Sequence, residues 1–174
     1  MAVGIVRRID ELGRIVIPKE MRKTMRLQVG DEMEISANDE GLTLKRYSGF
    51  KSVLPSLKAM AKLLWQTTGA DVLIMNANEV VVAEGKNKKT YAGARLTSEF
   101  SNRIRKRNPE SVSGDMLSKV FENADTQGFM FSEPVICGGD FLGCIALVAN
   151  DTIENDKKTY LHFCAETISA MLAE

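Results

Sequence analysis

The stretch GIVRRIDELGRIVIPKEMRKTMRLQVGDEMEI, residues 4–35, decides how the first part of the chain folds. It begins with two short runs rich in β-branched residues, 4–10 and 14–17, which are separated by a turn at 10–13. β-Branched residues favour strands, and a glycine at the end of the turn permits a positive φ angle. Both runs are therefore predicted to be strands.

A short basic helix is predicted after the second strand. Pro18 ends that strand and suits the first turn of a helix, which is predicted over residues 19–26. Bases recur there at positions i, i+3, i+4 and i+7, so they share about one third of the helix circumference. Met21 and Met25 point the opposite way, toward a core. The four bases of this stripe are Lys19, Arg22, Lys23 and Arg26.

Arginines also lie on both strands beside the turn. Residues 1–26 contain seven basic and three acidic residues, whereas residues 27–44 contain five acidic residues and no base. Such a separation predicts a basic face and an anionic partner, although the net charge of the whole chain is zero. Arginine binds phosphates and guanine edges with two hydrogen bonds. The predicted contacts to double-stranded DNA are therefore the bases of these elements: Arg7, Arg8, Arg14, Lys19, Arg22, Lys23 and Arg26.

The first predicted domain, residues 1–47, is small. It ends in a hairpin of strands 33–36 and 42–46, with a turn at 39–41. About 47 residues is close to the limit below which a domain rarely buries enough surface to fold alone. Neither a disulfide nor a metal site is predicted to compensate. We therefore expect two chains to share one core.

Residues 48–52, SGFKS, are predicted as a linker, and residues 53–174 as a second domain. Ser52 is a candidate cap for the first helix of this domain, and apolar residues at helical spacing predict a buried stripe on that helix and on the last one. The predicted elements are helix 53–67, strands 71–75 and 80–83, helices 90–107 and 114–122, a hairpin of strands 132–136 and 142–148, and helix 154–172.

Few residues point to catalysis or metal binding. His162, the single histidine, has no partners at metal-ligand spacing. The three cysteines are interpreted as buried free thiols, with redox sensing by Cys137 and Cys144 across a hairpin as an alternative. Trp65 is assigned to the core, with a place in an effector pocket as the alternative. The basic run 103–107 is interpreted as solvated charge. No enzyme, cofactor or metal is predicted.

Because no apolar core follows Arg7 and Arg8, no signal peptide is expected, and the sequence contains no apolar run long enough for a membrane span. No contact with a membrane is therefore expected. Free thiols fit a reducing compartment, so we expect a cytoplasmic protein.

Residues 4–22, GIVRRIDELGRIVIPKEMR, resemble the AbrB-type transition-state regulators, as do GDEMEI at 30–35 and LKRY at 44–47. In that family two chains interleave their strands into one swapped-hairpin unit that binds DNA. The resemblance implies the shared core that the small size requires. It also implies that the basic residues at the family's DNA-contacting positions bind DNA here. Lys19 and Arg26 are included in the predicted DNA surface from helix geometry alone. The residues that match are Arg7, Arg8, Arg14, Arg22 and Lys23.

Residues 134–147, with PVI, GGD and LGCIAL in that order, resemble the central hairpin of GAF domains. GAF-like domains sense small molecules or dimerise, and they have an antiparallel sheet flanked by helices. The whole chain in order resembles the stage V sporulation protein T family. That resemblance implies an α+β protein that regulates forespore transcription, as activator or repressor, and binds DNA as a tetramer. It also allows a small-molecule effector of unknown identity.

Two other functions remain open from the sequence. The swapped-hairpin head also occurs in antitoxins, but those end in a short extended tail, whereas a folded pattern of 127 residues follows residue 47 here. A metabolite-binding or enzymatic GAF-like protein with an incidental basic head is the third hypothesis.

Overall fold

The computed structural model describes residues 4–25, 27, 29, 31 and 33–173. The chain divides into two compact units, Met1–Tyr47 and Ser48–Glu174. Among the residues described, no helix is both long enough and apolar enough to cross a membrane.

The first unit contains one helix and one hairpin. Helix α1 spans Lys19–Met25, and strands β1 (Met33–Asn38) and β2 (Gly41–Arg46) pair antiparallel. The side-chain oxygen of Asn38 accepts hydrogen bonds from the amides of Glu40 and Gly41, both at 3.1 Å, which closes the turn between the strands. The predicted helix and hairpin are thus confirmed, and both strands extend slightly beyond the predicted ends.

The two predicted strands at 4–10 and 14–17 are not formed within one chain. Both segments lack regular secondary structure. A strand needs a neighbouring strand to pair its amides and carbonyls. The turn between the two segments supplies only local hydrogen bonds, from Asp10 N to Arg14 O and from Gly13 N to Asp10 O. The prediction is therefore wrong for the isolated chain, because no strand among the described residues lies beside these segments.

The second unit is built on one antiparallel sheet of five strands in the order β4-β3-β7-β6-β5. Two long helices open and close it, and two short ones lie between strands β4 and β5. The bounds are α2 Leu54–Thr68, β3 Asp71–Met75, β4 Val80–Glu84, α3 Lys88–Tyr91, α4 Ser98–Ile104, β5 Glu110–Ser113, β6 Phe129–Cys137, β7 Asp140–Ala149 and α5 Asn155–Leu172.

Each face of the sheet has its own core, because successive side chains of a strand point to opposite faces. Helices α2 and α5 cover one face, where Ile74 and Leu147 pack against apolar residues spaced at helical intervals, such as Leu57 and Leu161. The short helices and the 3-10 helix Gly114–Lys119 cover the other face. The closing helix and the central hairpin were both predicted.

The predicted helix at 90–107 is wrong. Gly93 has a φ angle of 68°, which lies in the left-handed region and separates α3 from α4. The hydroxyl of Thr97 then accepts a hydrogen bond from the amide of Phe100 and begins α4 as its cap. The second predicted helix, 114–122, is instead the 3-10 helix, and strand β5 was not predicted.

The predicted linker at 48–52 contains a 3-10 helix, Gly49–Lys51, and Phe50 within it is buried in the core beneath α2 and α5. Ser52 does not cap α2 as predicted. Val53 is the cap residue, and the Ser52 hydroxyl donates to the carbonyl of Gly49 at 3.3 Å. Pro55 in the first turn of α2 needs no amide partner there, so the helix begins without a side-chain cap.

The cysteines do not form the proposed pair. In the β6–β7 register Cys144 lies opposite Pro134 and Cys137 opposite Asp140, so the two cysteines are not cross-strand neighbours. All three thiols are free, Cys144 is buried, and Cys137 and Cys164 are half-buried. Burial raises the pKa of Cys144 to about 12, so this thiol stays protonated and unreactive near neutral pH.

Candidate nucleic-acid interface

The turn at 10–14 is fixed by the Asp10 side chain. One carboxylate oxygen accepts hydrogen bonds from the amides of Leu12 at 3.0 Å and Arg14 at 2.8 Å. The other accepts from Nε of the Arg14 guanidinium at 2.7 Å. Gly13, at a φ angle of 76°, allows the chain to reverse. The carboxylate thereby holds the backbone of the turn and the side chain of Arg14 together.

These bonds favour the charged form of the carboxyl group. The hydrogen bond from the Arg14 amide, followed by the one from its side chain, lowers the pKa of Asp10 below its ordinary value of 3.8. A carboxyl group with a lowered pKa stabilises the folded chain when the pH is above its ordinary pKa. That contribution is lost as the pH falls through the pKa of the group in the folded chain. Near neutral pH Asp10 is therefore ionised, and its carboxylate stabilises the turn.

The strand-side arginines are exposed. Arg7 and Arg8 precede the turn, and the Arg7 guanidinium donates to the carbonyl of Val6 at 3.0 Å. Arg14 follows the turn, with 70% of its side chain exposed despite the ion pair with Asp10. All three guanidinium groups are thus accessible to a large anionic ligand.

Helix α1 presents the other predicted bases. Lys19, Arg22 and Lys23 lie on it at positions i, i+3 and i+4, and all three are exposed. Arg26 lies outside the described residues. Met21 and Met25, predicted to face a core, are 38% and 42% exposed, because the described residues of one chain do not cover that side of the helix.

Arg46 connects α1 to the hairpin. Its guanidinium donates to the carbonyl of Met25 at 2.7 Å and lies 3.9 Å from the carboxylate of Asp31. A cation at the C-terminal end of a helix also interacts favourably with the helix dipole. This base acts inside the unit, which distinguishes it from the exposed bases of the candidate interface.

The first unit has almost no core of its own. Among its described residues only Pro18 is buried. Monomeric soluble proteins rarely expose so many large apolar side chains within one small unit. The exposed ones are Ile5, Val6, Ile9, Leu12, Ile15, Val16, Met21, Met25, Val29, Ile35, Leu42 and Tyr47.

Two cavities of the second unit are small for a small-molecule ligand. Two described cavities have volumes of about 60 and 130 Å³, whereas small-molecule sites commonly measure about 300 Å³ or more. Asp71, which is buried, accepts hydrogen bonds from the amide and side chain of Asn87, and Gly85 passes so close to it that any Cβ would clash. The Asp71 carboxylate is therefore already bound by residues of the same chain, which leaves no room for a ligand between it and Gly85.

The remaining residues singled out in the sequence occupy ordinary positions. His162 is exposed, and its Nδ1 lies 3.5 Å from the carboxylate of the buried Glu133. Within the described part of the chain no three metal-ligating side chains come together. Trp65 is half-buried and packs against the core beneath α2 and α5.

Comparison with known proteins identifies the class of each unit. Residues 6–52 match the family described as antidote-toxin recognition MazE, bacterial antitoxin. The chain is 34% identical over 87 residues to the transition state regulatory protein AbrB of Bacillus subtilis, covering 50% of this chain and 91% of that protein. The first unit is thus an AbrB-type domain, and its helix and hairpin agree with the predicted class.

Solved structures show the fold of the second unit. The GAF domain of the nutrient sensor CodY from Clostridium difficile has a TM-score of 0.51 and 14% identity, covering 66% of this chain and 83% of that one. The red/green cyanobacteriochrome NpR6012g4 has a TM-score of 0.56 and 13% identity, covering 71% and 95%. The second unit therefore has a GAF-like fold, and the class is an AbrB-type domain followed by a GAF-like one.

Residues 56–174 match the family described as stage V sporulation protein T C-terminal, transcription factor. Stage V sporulation protein T of Bacillus subtilis is 32% identical over 176 residues, covering 99% of this chain and 96% of that protein. The chain belongs to the stage V sporulation protein T family, and it is a transcription factor of sporulation gene regulation. This confirms the predicted family and disfavours the antitoxin alternative, because the match extends over the folded second unit.

Proposed function

We propose that the chain binds double-stranded DNA through the basic surface of its first unit and thereby regulates forespore genes. The observation that carries this proposal is the Asp10-held turn, which fixes the exposed Arg14 in the segment between the exposed arginines before the turn and the exposed bases of α1. The surface consists of Arg7, Arg8, Arg14, Lys19, Arg22 and Lys23, and by sequence it also includes Arg26.

Two chains interleave their first units in this proposal. The segments 4–10 and 14–17 have strand-forming sequences but no strand to pair with among the described residues, and large apolar side chains around them are exposed. A second chain that paired with these segments would complete both the hydrogen bonds and the core. The same arrangement would cover Met21 and Met25, which would leave the basic stripe of α1 facing outward.

Binding by this surface depends on phosphate neutralisation. Bases that contact phosphates release counterions, so affinity falls steeply as the salt concentration rises. Arg14, whose backbone and side chain are both fixed by the turn, is the best placed side chain to contact a base edge. With few side chains able to reach bases, specificity rests largely on the shape and bendability of the duplex.

The second units pair these dimers into a tetramer. Support for this comes from three large apolar side chains that stay exposed on α2 and α5, the two helices that pack side by side over one sheet face. They are Leu63 on α2, at 64% exposure, and Tyr160 and Phe163 on α5, at 48% and 71%. Apolar residues of this size on adjacent helices are typical of a surface that another chain covers.

The proposed role is regulatory and not enzymatic, and it takes place in the cytoplasm. Membership of a family of transcription factors supports this assignment. An effector of ordinary size would have to open space if it bound at either of the two described cavities. Such an effector would be allosteric only if its binding changed the affinity for DNA.

The decisive experiment compares DNA binding by wild type and Arg14→Ala. Fluorescence anisotropy with pooled AT-rich duplexes across a salt series should show tight, salt-steep binding by wild type. Removal of a base contact costs about 1–3 kcal/mol, so Arg14→Ala should bind about 5- to 150-fold more weakly. The oligomeric mass of the variant must equal that of wild type.

Lys45→Ala is the matched control. Lys45 is an exposed base of the same unit, on β2 and outside the proposed surface. The substitution removes one positive charge from the unit without touching the turn or α1. Equal losses for Lys45→Ala and Arg14→Ala would reduce the effect to net charge and contradict the proposed surface.

A further inference from the structure

The second unit carries its opposite charges in different parts of the chain. Residues 86–119 contain nine basic and three acidic residues, whereas the rest of 48–174 contains five basic and twelve acidic residues. In the fold, 86–119 supplies α3, α4, β5 and the 3-10 helix Gly114–Lys119. We call residues 86–119 the basic layer. Its helical parts cover the sheet face opposite α2 and α5, where the backbones of Glu79 and Glu122, from outside the layer, lie beside Arg95.

Several of these bases are used in contacts within the unit. Arg103 pairs with Glu110 at 2.5 Å, and Lys88 pairs with Glu84 at 3.3 Å. The Arg107 guanidinium donates to the carbonyl of Gly139, which fixes the loop after α4 against the β6–β7 turn. These three bases therefore help to hold the unit together.

Five other bases of the basic layer have no ion-pair partner among the described residues, and all are exposed. Arg95 and Lys119 lie on neighbouring segments: the Thr97 hydroxyl donates to the carbonyl of Lys119 at 2.7 Å, and the Glu122 amide donates to that of Arg95 at 2.9 Å. Lys119 also lines the cavity of about 60 Å³ together with Arg103. The five bases are Lys86, Lys89, Arg95, Lys106 and Lys119.

We propose that the basic layer is a second contact surface for the phosphate backbone of DNA. The inference rests on the proposed function, because the first unit is what brings a duplex to the chain. Exposed lysines are compact point charges that suit phosphates and read no sequence. A weak surface on a chain that already holds DNA acts at a high effective concentration, so even modest contacts raise the overall affinity.

Another anionic partner for the basic layer would be the acidic remainder of the second unit in another copy of the chain. Several of those acidic groups are already engaged. Asp71 and Glu133 are buried, while Glu84 and Glu154 pair with lysines of the same chain. A duplex, by contrast, offers one negative charge about every 1.7 Å of its axis. The charge distribution thus favours DNA as the partner.

The test uses the full chain and two matched double variants. Lys106→Gln/Lys119→Gln neutralises two exposed bases of the layer, and Lys58→Gln/Lys62→Gln neutralises two exposed lysines of α2 on the opposite side of the unit. Anisotropy with long AT-rich duplexes gives the slope of log K against log salt. The slope should fall in magnitude by about 1 for each phosphate that the layer variant no longer neutralises, and stay unchanged in the α2 variant.

Arg14→Ala in the same series separates the two proposals. If Arg14→Ala binds weakly while the layer variant keeps the wild-type slope, the basic layer is not a DNA surface and the proposed function stands. If the layer variant loses slope while Arg14→Ala binds like wild type, the layer contacts DNA, but the proposed surface of the first unit fails and the layer is not a second surface beside it. A changed mass of the layer variant in light scattering, with an unchanged slope, would assign the layer to self-association and overturn the inference.

Discussion

Asp10 carries a negative charge inside a basic segment of the chain, so its effect on DNA binding tests charge against geometry. If net charge decided affinity, removal of this carboxylate would strengthen binding. The carboxylate instead accepts three hydrogen bonds that hold the Leu12 and Arg14 amides and the Arg14 guanidinium. Its removal frees the turn, and the arginine then has to be ordered again at the cost of side-chain entropy.

We therefore expect Asp10→Ala to bind DNA several-fold more weakly than wild type, in the same anisotropy series. Asp10→Asn should lose less, since its amide oxygen can still accept from the two backbone amides although the ion pair with Arg14 is gone. Tighter binding by both variants would show that charge outweighs the position of Arg14. The oligomeric mass serves as the control for folding.

The sequence predicts which residue types form the candidate surface, because bases at helical spacing and arginines beside a turn are visible in it. It does not predict the role of Asp10. That role depends on a carboxylate reaching an amide and a guanidinium four residues away, and this requires the turn conformation set by Gly13. The basic layer is not visible in the sequence for a similar reason, since its bases are scattered over 86–119 and only folding places their elements over one sheet face.

At the scale of elements, prediction succeeded where one local signal dominates. The β6–β7 hairpin has two glycines in its turn, and both take positive φ angles. Prediction failed at 90–107, where a helical composition is interrupted by Gly93, and at 4–10 and 14–17, whose strands depend on a partner outside the chain in the proposed dimer. Secondary-structure propensity describes an isolated segment, whereas the secondary structure that the segment adopts also depends on the elements that pack against it.

The 3-10 helix Gly49–Lys51 shows the same limit and leads to a stability prediction. Its Phe50 is 1% exposed, and its ring lies against Gly143 so closely that a Cβ there would come within 2.8 Å of it. Phe50→Ala should lower the free energy of unfolding of the second unit by about 3–5 kcal/mol, because it leaves a cavity between α2, α5 and the sheet. Urea unfolding followed by tryptophan fluorescence of Trp65 measures this.

Phe50→Leu is the matched comparison, because it keeps an apolar side chain at the same place and should cost clearly less. Equal stability of wild type and Phe50→Ala would mean that the segment 48–52 is a linker, as the sequence suggested. A large loss would assign these residues to the second unit.

At the scale of the whole molecule, the two units differ in how far one chain can complete them. The second unit has buried residues on both faces of its sheet, whereas the first has one buried residue among those described. Hydrophobic burial is the main favourable contribution to folding, so the second unit can be stable within one chain, whereas the first would gain its core from the partner chain of the proposed dimer. Assembly is thus a condition for DNA binding in the proposal, and the exposed face of α2 and α5 is where dimers would join.

A charge placed on that face should divide the assembly. Phe163 is 71% exposed, so Phe163→Glu should leave the fold of one chain intact. Within a contact between chains, however, an unpaired buried carboxylate costs about 3 kcal/mol or more. We expect the mass of the variant, measured by light scattering after gel filtration, to be half that of wild type, with the interleaved first units still paired. Asn102→Glu adds the same charge on α4, over the other sheet face, and should keep the wild-type mass. An undivided Phe163→Glu assembly would place the contact between dimers elsewhere.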